Sequence, residues 1–311
     1  MSILSDISKD VLMTESEILN FSSTAPRRYK RYYILKRNGK DLRLIAHPSK
    51  EVKFFQRLVI SKLDGKLPIH HCAMAYVKGK SIKDNADAHK KNKYLLKMDF
   101  KNFFMSVTPE LFISSLKKNN IILDTNDLIF LEGILFWKLR RNSPLRLSVG
   151  APSSPFISNF IMKSFDDYIF NTCKEMNVTY TRYADDITFS TNIKTLLFTF
   201  PVIIKNALKE HCDKKIRINS EKTIFTSKKF NRHITGITIN NNNNLSLGRN
   251  KKRLISSMVH HFISKDHSLT ADEILKLKGH LSFAHFIEPD FIQRLSDKYG
   301  NEEIINIIKH I

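Results

Sequence analysis

The chain has 311 residues, enough for a substantial buried core shared among two or three subdomains. Lysine and arginine total 51 against 30 aspartates and glutamates, and the resulting +21 makes a polyanion the expected partner, nucleic acid first and a membrane surface as its competitor. No stretch approaches the roughly 18 unbroken apolar residues of a spanning helix. The opening MSILSDISKD carries acids where an export signal would carry bases and then an apolar run, so the expectation is a soluble, cytoplasmic protein with no membrane partner. Cys72, Cys173 and Cys212 are too few and too scattered for a disulfide framework, which suits a reducing compartment. The His70-His71-Cys72 run has no second cluster at zinc-site spacing and reads as a loop.

In chain order, residues 31–46 (RYYILKRNGKDLRLIA) form two β-rich runs around Asn38-Gly39, a dipeptide that supplies the positive φ angles of a tight hairpin turn. NKYLLKMDFKNFF (92–104) starts as a short apolar strand through Leu95, Leu96 and Met98 and turns at Asp99. Thr108-Pro109 then marks a helix start. From Pro155 onward, Phe156, Ile157, Phe160, Ile161, Phe165 and Ile169 fall at the intervals of one helical face. YTRYADDITFS lies within a hairpin candidate over 178–190, with Asp185 and Asp186 at or beside its tip. The NNNN run at 241–244 reads as a loop and a boundary. Beyond it the pattern is helical: GRNKKRLISSMVHHF, then TADEILKLKGHLSFAHF with a capping box from Thr270 to Glu273, then a last helix to Ile311. The coarse result is a mixed α/β (α+β) body followed by a basic helical subdomain.

Two adjacent acids alone usually mean a solvated turn or a helix start. At a hairpin tip, however, Asp185 and Asp186 present oxygens beyond the strand ends, and Asp99 ends another short apolar strand that could lie beside them. Three such carboxylates make an oxygen-rich site suited to Mg²⁺. Two ions about 3.5 to 4 Å apart can activate an attacking hydroxyl and stabilise a leaving pyrophosphate. The basic surface would then hold the polyanion whose end enters the site.

MDFKNFF, VGAPSSPFISN, YADD, NSEKT (219–223) and ITG (234–236), in this order and spacing, resemble the successive blocks of a reverse transcriptase palm, which a generic two-metal nuclease would not produce. NADAH at 85–89 and the ITG triplet further resemble the bacterial retron reverse transcriptases. The resemblance implies a right-hand polymerase: N-terminal helices and fingers over 1–95, a palm over 96–245 with an inserted helical fingers segment near 109–145, and a helical thumb over 246–311.

Carried onto this sequence, the resemblance makes Asp99 and Asp185 the principal ligands of two Mg²⁺ ions, with Asp186 completing the cluster. Tyr183 and Ala184 would shape the floor near the primer end. Phe104 would be the sugar gate that favours deoxynucleoside triphosphates, unless it is a core phenylalanine beside Phe103. Arg43 would hold the incoming triphosphate with its planar fork. Lys222 would assist the pyrophosphate end or be a plain surface lysine, while Lys36 and Arg37 read equally as a solvated hairpin. Val149 departs from the family, which has glutamine before the glycine of this block. A thumb using Arg249, Lys251, Lys252 and Arg253 would grip phosphates, the alternative being a solvated face. Asn85, Ala86 and His89 are where the resemblance places recognition of the enzyme's own structured RNA.

The function so implied is an RNA-directed DNA polymerase that copies part of a cognate noncoding RNA. It would prime from an internal guanosine 2′-hydroxyl and leave a branched RNA-linked single-stranded DNA. A cellular RNase H removing the template and an accessory effector in phage defence complete the expected partners. A reverse transcriptase of a group II intron or diversity-generating element, and a catalytically silent RNA-binding scaffold, are the competing expectations. Retention of all three aspartates argues against the scaffold, and Phe104 argues against a template-dependent RNA polymerase.

Overall fold

The structure, a computed structural model, describes residues 2–36, 39–264 and 269–309. Helices α1 (Ile3–Val11) and α2 (Glu15–Thr24) lead through a short 3-10 turn, Ala25–Arg27, into β1 (Tyr29–Leu35) and β2 (Leu42–Pro48). After α3 (Lys50–Leu63) and α4 (Ile82–Asp87) comes β3 (Tyr94–Phe100). A helical stretch follows: α5 (Phe103–Ser106), α6 (Pro109–Lys118), α7 (Thr125–Leu135), α8 (Ser154–Ile161) and α9 (Lys163–Glu175). Next are β4 (Thr179–Tyr183), β5 (Asp186–Thr191), α10 (Phe200–His211), β6 (Ile218–Ser227), β7 (Arg232–Ile234), β8 (Ile237–Ile239) and β9 (Leu245–Ser246). Four helices follow, α11 (Arg249–Ser264), α12 (Ala271–Ile287), α13 (Pro289–Tyr299) and α14 (Asn301–Lys309).

The strands form three sheets: β1-β2, the four-stranded β4-β5-β3-β6, and β7-β8-β9. Strand β3 buries Leu95, Leu96, Met98 and Phe100, the near-continuous apolar run of a strand covered on both faces. Two compact units divide the chain, one of residues 1–78, 97–189 and 195–224, the other of 79–96, 190–194 and 225–311. In the first unit, α1 is tied down where its orphan amides meet the Asp127 carboxylate, which accepts from Ile3 N at 3.0 Å and Leu4 N at 2.7 Å. Helices α2 and α7 approach so closely that a Cβ at Gly133 would collide with the Ser22 carbonyl. In the second unit, Ile255, Val259, Leu277, Leu281, Ala284 and Leu295 form the core between the C-terminal helices.

Several sequence expectations hold in detail. Thr108 precedes α6 with Pro109 in its first turn, and the Thr270–Glu273 capping box opens α12. Others need revision. The β1-β2 hairpin closes through a Lys36 N to Asp41 O bond of 2.7 Å, so its loop is four residues long rather than two. Gly39 has φ +66° there, whereas Asn38 and Arg37 lie outside the described residues. Asp99 sits inside β3, one residue before its end, because the strand's hydrogen bonding runs on to Phe100. The helical face from Pro155 is shared by α8 and α9, which part at Met162, where ψ is −5° instead of the helical value near −42°. The last helix is likewise two, since Gly300 at φ +94° adopts a conformation open chiefly to glycine and ends α13. The end of that segment, at 310 and 311, lies outside the described residues. Among the described residues no helix is long and apolar enough to cross a membrane.

Candidate active site

Strands β4 and β5 make a tight hairpin whose two-residue tip is Ala184-Asp185, with Ala184 at φ +58° and Asp186 opening β5. Phe100 N donates to the Asp185 carbonyl at 3.0 Å, which pins the tip against the end of β3 and brings Asp99 to the same edge. Lys222, on β6, reaches Asp99 Oδ2 with its Nζ at 2.7 Å. Thus residues from three strands share one end of the sheet, as alternation along each strand allows.

The electrostatics of that end follow from crowding like charges in a partly buried place. Burial first, then the charge of Asp99, raises the Asp185 carboxyl above its usual value, against the pull of its own backbone hydrogen bond, Lys222 and Arg43. Asp186 is exposed as a residue, yet its carboxyl is pushed up to about 6, first by desolvation and then by the charges of Asp185 and Asp99. For Lys222, burial disfavours the ammonium, but its hydrogen bond to Asp99 and the fields of all three aspartates outweigh that cost and raise its pKa. The donor set is all carboxylate and carries more negative charge than one lysine balances, which is the chemistry a hard cation such as Mg²⁺ fits. Among the described residues no three His, Cys, Asp or Glu side chains close into a finished ligand set. In this arrangement the Lys222 ammonium occupies the Asp99 oxygen.

Arg43 is exposed on β2, opposite Ile34, and its charge is felt by both Asp185 and Tyr76. Phe104 lies in the one-turn helix α5, half-buried, while its neighbour Phe103 takes the core position, 5.6 Å from the Phe100 ring centroid. The core reading therefore belongs to Phe103. The Val149 carbonyl accepts from Ala46 N at 3.0 Å, and Gly150 at φ +123° lets the loop lie against β2.

Beneath the hairpin is a polar network that the sequence analysis missed. Arg182, fully buried on β4, donates from Nε and Nη2 to Asp166 on α9, at 2.6 to 3.1 Å. Its Nη1 donates to Asn159 Oδ1 at 3.0 Å and to the Ala184 carbonyl at 3.2 Å. Asn159 in turn donates to the Ala75 carbonyl at 2.8 Å, and Tyr180 OH to Asp166 Oδ1 at 2.8 Å. One guanidinium therefore ties α8, α9 and the Ala184-Asp185 turn together. The signal was present: Tyr180 and Arg182 share one face of a strand by period two, and Asp166 stands beside inward-facing Phe165. Tyr76, at φ +61° and under the field of Asp185, and Lys97, under that of Asp186, are further neighbours of the acids without a sequence signal.

In the second unit, two assigned RNA contacts turn out to be interior. Asn85 is 1% exposed and His89 0%. Asn85 Nδ2 donates to Thr235 Oγ1 at 3.4 Å, and His89 Nδ1 lies 2.7 Å from Ser190 Oγ. Thr235 is the middle residue of ITG, so the two retron-like elements brace one another. Side chains enclosed in this way hold α4 in place. In α11, Arg249 and Arg253 are exposed and line a shallow pocket of about 470 Å³ with Lys252 and Ser256. Lys252 Nζ is engaged by Glu288 Oε1 at 2.5 Å, and Lys251 Nζ sits 3.9 Å from the Phe283 ring centroid. The cluster thus splits into two outward arginines and two lysines serving the helical packing.

A mixed helix and strand fold that gathers three aspartates at one end of a four-stranded sheet is of the class used by template-directed nucleic-acid polymerases. Residues 34–239 match the family described as reverse transcriptase (RNA-dependent DNA polymerase). Retron Ec83 reverse transcriptase of Escherichia coli is 45% identical over 284 residues, covering 91% of this chain and 90% of that protein. Retron Ec73 reverse transcriptase, also from Escherichia coli, is 34% identical over 317 residues, covering 97% and 96%. Among solved structures, telomerase from Candida albicans in complex with a telomeric RNA fragment superposes with a TM-score of 0.50 at 11% identity, over 91% of this chain and 61% of that one, a likeness of fold. The chain belongs to the reverse transcriptase family, and within it to the retron reverse transcriptases, so it is an RNA-directed DNA polymerase.

Proposed function

We propose that this enzyme copies part of a cognate structured noncoding RNA into single-stranded DNA, primed from an internal guanosine 2′-hydroxyl so that RNA and DNA remain joined by a branch. The observation that carries the polymerase chemistry is the meeting of Asp99, Asp185 and Asp186 at one sheet end with Lys222 and the charge of Arg43. In this reading residues 1–95 supply the N-terminal helices and fingers, 96–245 the palm with its helical insert, and 246–311 the thumb.

Asp99 and Asp185 would hold the Mg²⁺ pair, with Asp186 completing the charge. When bound, such ions lower the pKa of an attacking hydroxyl and neutralise charge on the leaving pyrophosphate. Arg43 orients the deoxynucleoside triphosphate through its phosphates, and Lys222, released from Asp99, follows the pyrophosphate end. Phe104 crowds the 2′ position of the incoming sugar. Arg249 and Arg253 contact backbone phosphates of the nucleic acid. Membership in the retron group supports the branched product, the removal of template by a cellular RNase H, and an accessory effector acting in phage defence.

The test is to express the gene with its flanking DNA and sequence the nucleic acid that copurifies. The expected product is one RNA joined to one DNA through a 2′,5′ linkage at a guanosine, sensitive to a debranching enzyme. A DNA with a free 5′ end would overturn the priming step. Failure to extend any primer on an RNA template with deoxynucleoside triphosphates would overturn the activity.

A further inference from the structure

Two separated segments of the first unit bring eight cations together. Arg27, Arg28, Lys30 and Arg31 stand between α2 and the middle of β1; Lys138, Arg140, Arg141 and Arg146 stand between α7 and α8. Lys138 N donates to the Pro26 carbonyl at 2.9 Å, Arg31 Nη1 donates to the Leu139 carbonyl at 2.6 Å, and Trp137 and Arg146 form a β-bridge. Arg27, Lys138 and Arg141 then line a groove of about 520 Å³ together with Ser23 and Asn142, where Glu132 is the one acidic lining residue. Six of the eight cations are exposed, and Lys138 and Arg146 are half-buried. Among the described residues none of the eight makes an ion pair. The charge of Arg28 does reach Glu51 and holds that carboxyl down, after the larger effects of hydrogen bonds from Ser49 and the Glu51 backbone.

A concentration of like charge that the protein leaves unneutralised costs folding energy through self-repulsion, and it is relieved when a polyanion binds. From this groove we infer a second RNA-binding surface, separate from the thumb arginines, that takes the sugar-phosphate backbone of a duplex segment of RNA. Exposed Tyr32 and Tyr33 lie further along β1, but among the described residues no aromatic side chain lines the groove itself, and that selects the duplex over a single strand. Single-strand sites combine a basic groove with exposed aromatic faces. Here the Tyr29 and Trp137 rings pack on each other at 5.8 Å, Trp137 is 1% exposed, and Arg28 covers the Phe21 ring at 4.6 Å. The cations also stand on segments pinned by backbone hydrogen bonds, which suits a rigid array of phosphates. Ser23 and Asn142 add hydroxyl and amide groups of the kind that meet ribose 2′-hydroxyls. The identity of the polyanion rests on the polymerase reading above; the surface itself rests on the charge.

The triple variant Arg27→Gln/Lys138→Gln/Arg141→Gln tests this in salt titrations of binding to three probes of equal length: an RNA hairpin stem, a single-stranded RNA and a DNA duplex. Its melting temperature is compared with that of the wild type to show that folding is intact, and a milder variant, Arg141→Gln alone, stands in if it is not. Expected is a loss of about tenfold or more in affinity for the RNA stem near physiological salt, with the log–log salt slope flattened by roughly 2 to 3 units. The single-stranded probe should change less. Equal losses on single-stranded RNA would overturn the duplex assignment, equal losses on the DNA duplex the RNA assignment, and unchanged affinity and slope the surface altogether. Primer extension by the wild-type protein is measured in parallel: if it fails while the RNA-stem result holds, the polymerase reading falls and the surface stands.

Discussion

The ammonium of Lys222 stands 2.7 Å from Asp99 Oδ2, and its side chain is 58% exposed where that of Asp99 is 9% exposed. An exposed cation thus neutralises a buried carboxylate of the sheet, at the edge where Asp185 and Asp186 also crowd. The lysine can leave that position at small cost, because half-exposed ion pairs are worth little in water.

Lys222→Met should therefore lower the melting temperature without divalent ions by about 1 to 3 °C, since three carboxylates lose their nearest counter-charge. Added Mg²⁺ should raise the variant's melting temperature by more than it raises that of the wild type. Differential scanning fluorimetry with and without chelator reads both. An identical Mg²⁺ response in the two proteins would remove Lys222 from the charge balance of the site.

Asp99→Asn or Asp185→Asn should lower DNA synthesis on the order of a thousandfold while leaving RNA affinity nearly intact, because an amide is a poor ligand for Mg²⁺ at a reacting phosphate. Single-turnover extension and filter binding on the same preparations separate the effects. Parallel loss of binding would mark these acids as structural.

Arg182→Met strips the buried Asp166 carboxylate of its partner, and the expected destabilisation is about 3 to 5 kcal/mol. The double variant Arg182→Met/Asp166→Leu removes both charges and should regain most of that stability in urea unfolding. It should still extend primers poorly and require more Mg²⁺, because the Ala184 carbonyl loses its donor and the turn is left with the Phe100 N bond alone. Recovery of wild-type Mg²⁺ dependence along with stability would show that the network serves folding alone.

Phe104→Ala should raise incorporation of ribonucleotides relative to deoxynucleotides by about tenfold or more, as the proposed sugar gate loses its ring. Phe103→Ala, in contrast, should cost about 3 to 5 kcal/mol of stability, since it empties a core position. Competition assays with paired nucleotides distinguish the two. Unchanged discrimination in Phe104→Ala would exclude the sugar-gate role.

Burial pushes the His89 imidazole down to about 3, well below its usual value near 6.5. Between those values the native state binds fewer protons than the unfolded chain, so this group's contribution to stability is lost as pH falls from 6.5 towards 3. His89→Gln should be less stable at pH 7.5 yet lose stability less steeply on acidification, measured as urea midpoints from pH 7.5 to 4.5. Parallel pH profiles would mean that His89 is not the titrating group.

The sequence by itself determined the family and the local elements that carry the three aspartates. A hairpin with acids at its tip, a preceding apolar strand carrying Asp99, and the ordered blocks around them are local patterns, written in period-two alternation and turn residues, and local rules suffice to read them. It also determined some helix starts, those of α6 and α12 among them, because signals such as Thr108-Pro109 and the Thr270–Glu273 cap act within four residues. What only the tertiary structure decided was which polar side chains face inward. Asn85 and His89 look in the sequence like recognition groups, but packing of α4 with the β7-β8 turn and Ser190 encloses them. Arg182 and Asp166 are far apart in kind from core residues, yet each satisfies the other where no water reaches. Arg27 and Arg141, more than a hundred residues apart, line one groove through backbone hydrogen bonds that no periodicity announces. Burial and charge neutralisation depend on partners distant in the chain, whereas strand, turn and cap depend on neighbours, and that difference in range divides what each source could decide.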